Sequence, residues 1–210
     1  MKSLYIIGAG GFGREVYAWA MQHPDAGQLW NIAGFLDDNP TALDGFEYPV
    51  GVVGTVDGFV FEEDALFLCA VGTSEIRKSI CERMRARGAQ FISLVHPSVV
   101  CGQNVSLGKG VIVCPQAVLT SDVRIGDFVI INCHSSAGHD VQIGAWTTVS
   151  GHCDLTGHTR LGEGVFLGSG ARIIPGKTVG DGAVIGAGAV VIRSVQAGQK
   201  VFGNPARVFG

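Results

Sequence analysis

The chain has 210 residues, a net charge of −3 at pH 7 and charged residues at only 16% of positions, which excludes a dedicated nucleic-acid binder, because neutralising phosphates takes a concentrated basic face. Apolar residues make up 47% of the chain, enough for a sizeable core, yet no uninterrupted apolar run reaches the ~20 residues that span a bilayer. The start, MKSLYIIGAGG, lacks the long apolar segment and cleavage site of a signal peptide, so the expectation is a cytoplasmic protein with no membrane partner.

Residues 1–90 read as a small α/β, Rossmann-like domain. Leu4 to Ile7 is a short apolar strand, followed by Gly8-Ala9-Gly10-Gly11-Phe12-Gly13 and a helical segment with Phe12, Val16 and Ala20 on one face. A G-x-G-x-x-G turn between strand and helix brings backbone N–H groups and a helix N-terminus close to a phosphate. A second strand, Ile32 to Leu36, ends in Asp37-Asp38, and a third, Ala65 to Val71, ends in Gly72-Thr73-Ser74. The helix after it carries Ile76, Ile80 and Met84. The strand ends converge on the edge where open α/β sheets bind ligands. The domain is too short for the usual two-half dinucleotide fold, so a mononucleotide-sized ligand fits better than NAD. Two structural alternatives stand beside this: the glycines serve packing alone, and Asp37-Asp38 form a solvated turn with Asn39-Pro40.

Val95-His96-Pro97 reads as the entry to a second domain, residues 91–210. From Val95 to Val191 an apolar residue, most often aliphatic, returns every sixth position, as in Leu107, Val113, Leu119, Ile125 and Ile131. Four residues after each comes a second, mostly small series, including Val111, Ala117, Val123 and Val129. A period of six fits neither a helix nor an ordinary strand. It fits a parallel β-solenoid in which three hexads close a triangular coil and residues eighteen apart stack. Glycine often follows the first position, as at Gly102, Gly108, Gly126 and Gly144, and is expected to permit the tight turn. The six cysteines form no close pair, and Cys101 and Cys153 fall at interior positions as small apolar filler.

The solenoid needs no histidine, yet His134, His139, His152 and His158 lie close together in sequence. His139 takes an outer hexad position, and eighteen residues on is Gly157, which would leave space for a reactant over the imidazole. Neutral imidazole is a competent base, and Asp140 is its candidate partner, though adjacent side chains meet only in turn geometry. The same spacing stacks Asp140 under His158 and His134 under His152. The histidines occupy different hexad phases, which do not converge on a metal, so no metal site is expected.

These segments together resemble the bacterial sugar acyltransferases of the sialic acid O-acetyltransferase type, which are related to the N-acetyltransferases of nucleotide-linked amino sugars. The resemblance rests on Gly8 to Gly13, Phe35 to Asp38, Gly72 to Arg77, Ile131-Asn132 to Asp140, the hexads, and the closing Gly203-Asn204-Pro205-Ala206-Arg207. It implies a homotrimer of left-handed parallel β-helices with acetyl-CoA in the groove between neighbours and a sugar or nucleotide-linked sugar as acceptor. By similarity Gly10, Gly11, Phe12, Asp37, Asp38, Gly72, Thr73 and Ser74 would hold the nucleotide-sugar, with Asn132 lining the acceptor end. His139 would be the base and Asp140 its tuner, while Gly157, Ser169 and Ala187 would line the cofactor groove. Amino-sugar N-acetyltransferases of this group tend to carry a second histidine where this chain has Thr148, so Thr148 is placed at the acyl end. The function implied is acetyl transfer to the amino group of a nucleotide-linked amino sugar for surface polysaccharide or glycan synthesis, through a ternary complex, with a backbone N–H near Gly157 at the oxyanion. Sugar O-acetylation, a noncatalytic nucleotide-sugar-binding trimer and a hexapeptide-type carbonic anhydrase are the alternatives.

Overall fold

The computed structural model describes residues 1–209. The chain divides into two compact units, Met1–Pro97 and the residues from Ser98 onward. No helix among the described residues is long and apolar enough to cross a membrane.

The first unit is a parallel sheet with two helices. Its elements are β1 (Lys2–Ile7), α1 (Gly11–Ala20), β2 (Trp30–Leu36), β3 (Val52–Gly54), β4 (Leu66–Cys69), α2 (Ser74–Ala86) and β5 (Gln90–Phe91). The strand order is β3-β2-β1-β4-β5, every neighbouring pair parallel. The order reverses at β1, so the crevice beyond its C-terminal end is the topological switch point of an open sheet. Leu4, Ile6, Ile7, Phe35, Leu36, Phe67 and Leu68 fill the core. Near-continuous apolar strands are what a parallel sheet covered on both faces requires. In α2 the buried face is Arg77, Cys81 and Met84, whereas Ile76 is 53% exposed. The apolar series Ile76, Ile80, Met84 therefore misplaces that face, because a buried arginine takes the position an aliphatic was expected to hold.

The second unit is a three-faced parallel solenoid. One face stacks Val100–Cys101, Val118–Leu119, Ser136–Ala137, Asp154–Leu155, Arg172–Ile173 and Val190–Val191. The second stacks Ser106–Leu107, Arg124–Ile125, Gln142–Ile143, Arg160–Leu161 and Thr178–Val179. The third includes Ile112–Val113, Ile130–Ile131, Thr148–Val149, Phe166–Leu167, Val184–Ile185 and Lys200–Phe202, with Arg207–Val208 antiparallel to the last. Register is eighteen residues throughout the repeats, as in Leu119 opposite Ala137 and Ala137 opposite Leu155. Both hexad series point inward and are buried along most of the prism. Cys101 is an exception: it is exposed because its strand ends its face and pairs on one side only.

The turn is not made where the glycines suggested. The left-handed residue is the third after the inward aliphatic, and nine non-glycine residues adopt it, from Asn104 to His158, with φ of 55–63°. Six of these are Asn, Asp or His, the types that tolerate this conformation best. Glycines such as Gly126 serve coil spacing instead: a Cβ there would lie 2.7 Å from the Ala145 amide nitrogen of the next coil.

Candidate active site

Three of the four clustered histidines, His134, His152 and His158, are corner residues with positive φ. His139 is the residue before a corner, and the corner is Asp140, with φ 60°. That conformation turns two consecutive side chains toward each other, and Asp140 Oδ2 lies 2.8 Å from His139 Nδ1. The hydrogen bond from His139 is the main influence holding the Asp140 carboxyl below its ordinary range; desolvation opposes it, and electrostatic attraction to His158 and His139 adds smaller lowering effects. An ionised carboxylate only accepts hydrogen bonds. Nδ1 is therefore the donor in this contact, and the neutral form of the ring has its lone pair on Nε2.

The space over Gly157 is filled by this imidazole itself. A Cβ at 157 would lie 2.5 Å from His139 Nε2 and 2.6 Å from Cε1. The glycine thus seats the imidazole, where the sequence spacing had pointed to room for a reactant. Of the amides in the Gly157 turn, Thr156 donates to the Ile173 carbonyl and His158 to the His139 carbonyl. At the hexad positions equivalent to Gly157, Lys109 and Glu163 donate to Asp127 and Asp181, eighteen residues on. Above Gly157 stands Pro175, which offers no side-chain acceptor, so the Gly157 N–H is not spent in this way.

The remaining solenoid candidates sit elsewhere on the prism. His139, Asp140, Gly157 and His158 share the edge between the first and second faces. Ser169 and Ala187 are exposed at the edge between the third and first faces. Asn132 lies at that same edge, donating from Nδ2 to the Val149 carbonyl at 3.1 Å. Thr148 is on the third face and buried. One chain therefore brings Gly157 to His139 but leaves Ser169 and Ala187, the other expected cofactor-groove residues, on a different edge. His134 and His152 stack in parallel, centroids 4.7 Å apart and planes 5° apart, as the spacing required. Asp140 Oδ2 is also 3.6 Å from His158 Nδ1, so the different phases do converge once coils stack.

In the first unit the glycine turn is built as the motif demands. Gly8 has φ 95°, and a Cβ on Gly13 would overlap the Gly8 carbonyl, so the third glycine lets α1 press against β1. Gly10 caps α1 without a side-chain bond, and Gly11 opens it. Phe12 is half-buried, meeting Trp19 edge-on. Asp37 accepts from the Ala9 N–H at 2.8 Å and the Asn39 N–H at 2.9 Å, and Asp38 accepts from the Val56 N–H at 3.1 Å. Both carboxylates therefore hold the chain's own loops. Gly72 and Thr73 are exposed and Ser74 half-buried, with Thr73 capping α2. Arg77, which sequence analysis passed over, is 1% exposed and donates from Nη1 to the Val71 and Gly72 carbonyls at 2.8 and 3.0 Å. Burial pulls its pKa down to about 10. The available signal was a charged residue at the i, i+4, i+7 spacing of the buried face.

Residues 3–84 match the family model described as PglD N-terminal domain, and residues 158–193 match the bacterial transferase hexapeptide (six repeats). The acetyltransferase domain of PglB from Neisseria gonorrhoeae is 32% identical, with a TM-score of 0.90 and full coverage of both chains. The chain belongs to the hexapeptide-repeat, acetyl-CoA-dependent sugar acetyltransferases. A second structure of that Neisseria domain is a complex with acetyl coenzyme A, at 32% identity, TM-score 0.90 and 99% coverage of each chain. A mutant of perosamine N-acetyltransferase from Caulobacter crescentus, in complex with CoA and GDP-perosamine, is 30% identical, with a TM-score of 0.88 and coverage of 100% of this chain and 98% of that one. A UDP-N-acetylbacillosamine N-acetyltransferase from Bacillus subtilis is 32% identical over 117 residues, which span 54% of this chain and 51% of that relative's length. In this chain His139, Asp140 and the glycine beneath the imidazole lie together on one prism edge.

Proposed function

We propose that the protein is a cytoplasmic homotrimer that transfers the acetyl group of acetyl-CoA to the amino group of a nucleotide-linked amino sugar. The observation that carries this is the His139–Asp140 pair seated over Gly157, with an accepting lone pair on Nε2. The acceptor class follows from the relatives, whose names specify amino-sugar N-acetyltransfer and whose structures hold CoA with GDP-perosamine. Six free cysteines fit a reducing compartment.

His139 Nε2 accepts the proton of the attacking amine as the new C–N bond forms and returns it to the departing sulfur. Asp140 fixes the tautomer and offsets the positive charge that the ring acquires. The Gly157 N–H donates to the carbonyl oxygen as charge grows on it. Positioned base catalysis contributes ~10²–10⁴-fold, and one oxyanion donor ~10²–10³-fold. The groove for the pantetheine arm is completed by a second copy, because Ser169 and Ala187 occupy a different prism edge from His139. In this arrangement Thr148 and Asn132 come from the chain that supplies Ser169 and Ala187. In the N-terminal domain, Gly10, Gly11 and Phe12 at the start of α1 and Gly72 to Ser74 at the start of α2 receive the nucleotide phosphates. Asp37 and Asp38 form the wall of that crevice. Surface polysaccharide or glycan synthesis is the use that such a product serves.

The test is a panel of nucleotide-linked amino sugars, nucleotide-linked sugars without an amine, and free sugars, each supplied with acetyl-CoA. The expected product gains one acetyl group and resists hydroxylamine, as an amide does. A hydroxylamine-labile product would assign O-acetylation, and binding without turnover across the panel would refute the enzyme reading.

A further inference from the structure

The edge that carries His139 also gathers a metal donor set. His139 and Asp140 come from one coil and His158 from the next, tied by the His158 N–H donating to the His139 carbonyl at 2.9 Å. One donor atom from each side chain lies within 4.8 Å of the others, and Asp140 Oδ2 is 2.8 Å from one imidazole nitrogen and 3.6 Å from the other. The two rings are nearly perpendicular, at 88°, with centroids 4.9 Å apart. The two rings approach the carboxylate from different directions, as ligands around one ion must. The side chains of His139, Asp140 and His158 are 62%, 47% and 64% exposed, so an ion arrives without opening the fold. Two imidazole nitrogens and one carboxylate oxygen, completed by water, form a set suited to Zn²⁺ and its first-row neighbours.

We propose that His139, Asp140 and His158 form a binding site for a divalent transition-metal ion, and that its occupation inhibits acetyl transfer. A neutral imidazole has a single lone pair. An ion on His139 Nδ1 displaces the proton held toward Asp140, and the ring keeps its one proton on Nε2 instead. No proton is gained or lost, but Nε2 no longer accepts one. The site stands on geometry alone, whereas the inhibition rests on His139 being the base of the proposed reaction. His134 and His152 provide an internal contrast, since stacked parallel rings direct their lone pairs in parallel planes rather than at one point.

Zn²⁺ titrated calorimetrically into the metal-free full chain should bind saturably, and His158→Gln should weaken that binding by about tenfold or more, at least the loss seen when outer-shell partners are removed. His152→Gln should leave it unchanged. Co²⁺ should give the visible bands of a low-symmetry nitrogen–oxygen site in the unmutated protein, a readout that does not depend on the variant folding. Turnover, read by product mass because zinc captures free thiols, should fall with the same saturation and return on adding a chelator. Equal affinity in His158→Gln, or no saturable binding below millimolar Zn²⁺, would overturn the site. Saturable binding with undiminished turnover would keep the site and overturn both the inhibition and the assignment of His139 as base.

Discussion

The two units use their polar residues in opposite ways. In the sheet domain the conspicuous charges are spent on the chain itself: Asp37 and Asp38 hold loop amides, and Arg77 is buried against two carbonyls. In the solenoid, repetition satisfies the backbone, and His139, Asp140 and His158 are left half to two-thirds exposed. A repeat whose backbone is satisfied mostly from coil to coil, with only some outer side chains such as Asp127 and Asp181 spent on it, can present chemistry at the other outer positions, while a small α/β domain must first use its polar groups to shape its loops.

That contrast is sharpest at the glycines. Gly157→Ala drives a Cβ into the His139 ring. A displacement of about 1 Å at a reacting group costs ~10² in rate, so kcat should fall about that far while acetyl-CoA affinity measured by calorimetry holds. An unchanged kcat would mean that the ring is not positioned by this glycine. Gly126→Ala, which meets backbone 2.7 Å away, should destabilise by about 1–3 kcal/mol through overpacking. Gly164→Ala meets nothing within 4 Å but has φ 64° and should cost only about 1–2 kcal/mol. Denaturant melts of the two, side by side, separate coil spacing from corner strain.

In the sheet domain, Arg77→Met leaves two carbonyls without their donor and should lower stability by about 1–3 kcal/mol. Nucleotide-sugar affinity should weaken with it, because the Gly72–Ser74 loop loses its anchor, and calorimetry with the identified substrate reads that loss directly. The smallest effect concerns Asp140, whose carboxyl is depressed mainly by the hydrogen bond from His139. Its contribution is present above the unfolded value of ~3.9 and is lost as pH falls through the lower folded value. Thermal midpoints of the parent protein and Asp140→Asn should therefore differ slightly near neutrality and converge in acid.

The prism was legible because one spacing dictates every register: eighteen residues already stacked Asp140 under His158 and His134 under His152. What spacing could not supply was the backbone sign at each position. The left-handed corner at Asp140 turned an unfavourable neighbour pair into a 2.8 Å contact, and the corner position accounts for three of the four clustered histidines. In the sheet domain the strand ends and glycine turn could be read from local motifs. Arg77 could not, because hydrophobic periodicity passes over a charge whose partners are carbonyls created only by the fold.

The central claim is that His139 removes the proton of the acceptor, and single-turnover measurement of His139→Ala under saturating substrates tests it most directly. The account predicts a rate lower by ~10²–10⁴ with acetyl-CoA affinity retained. A rate within a few-fold of the parent protein would contradict it.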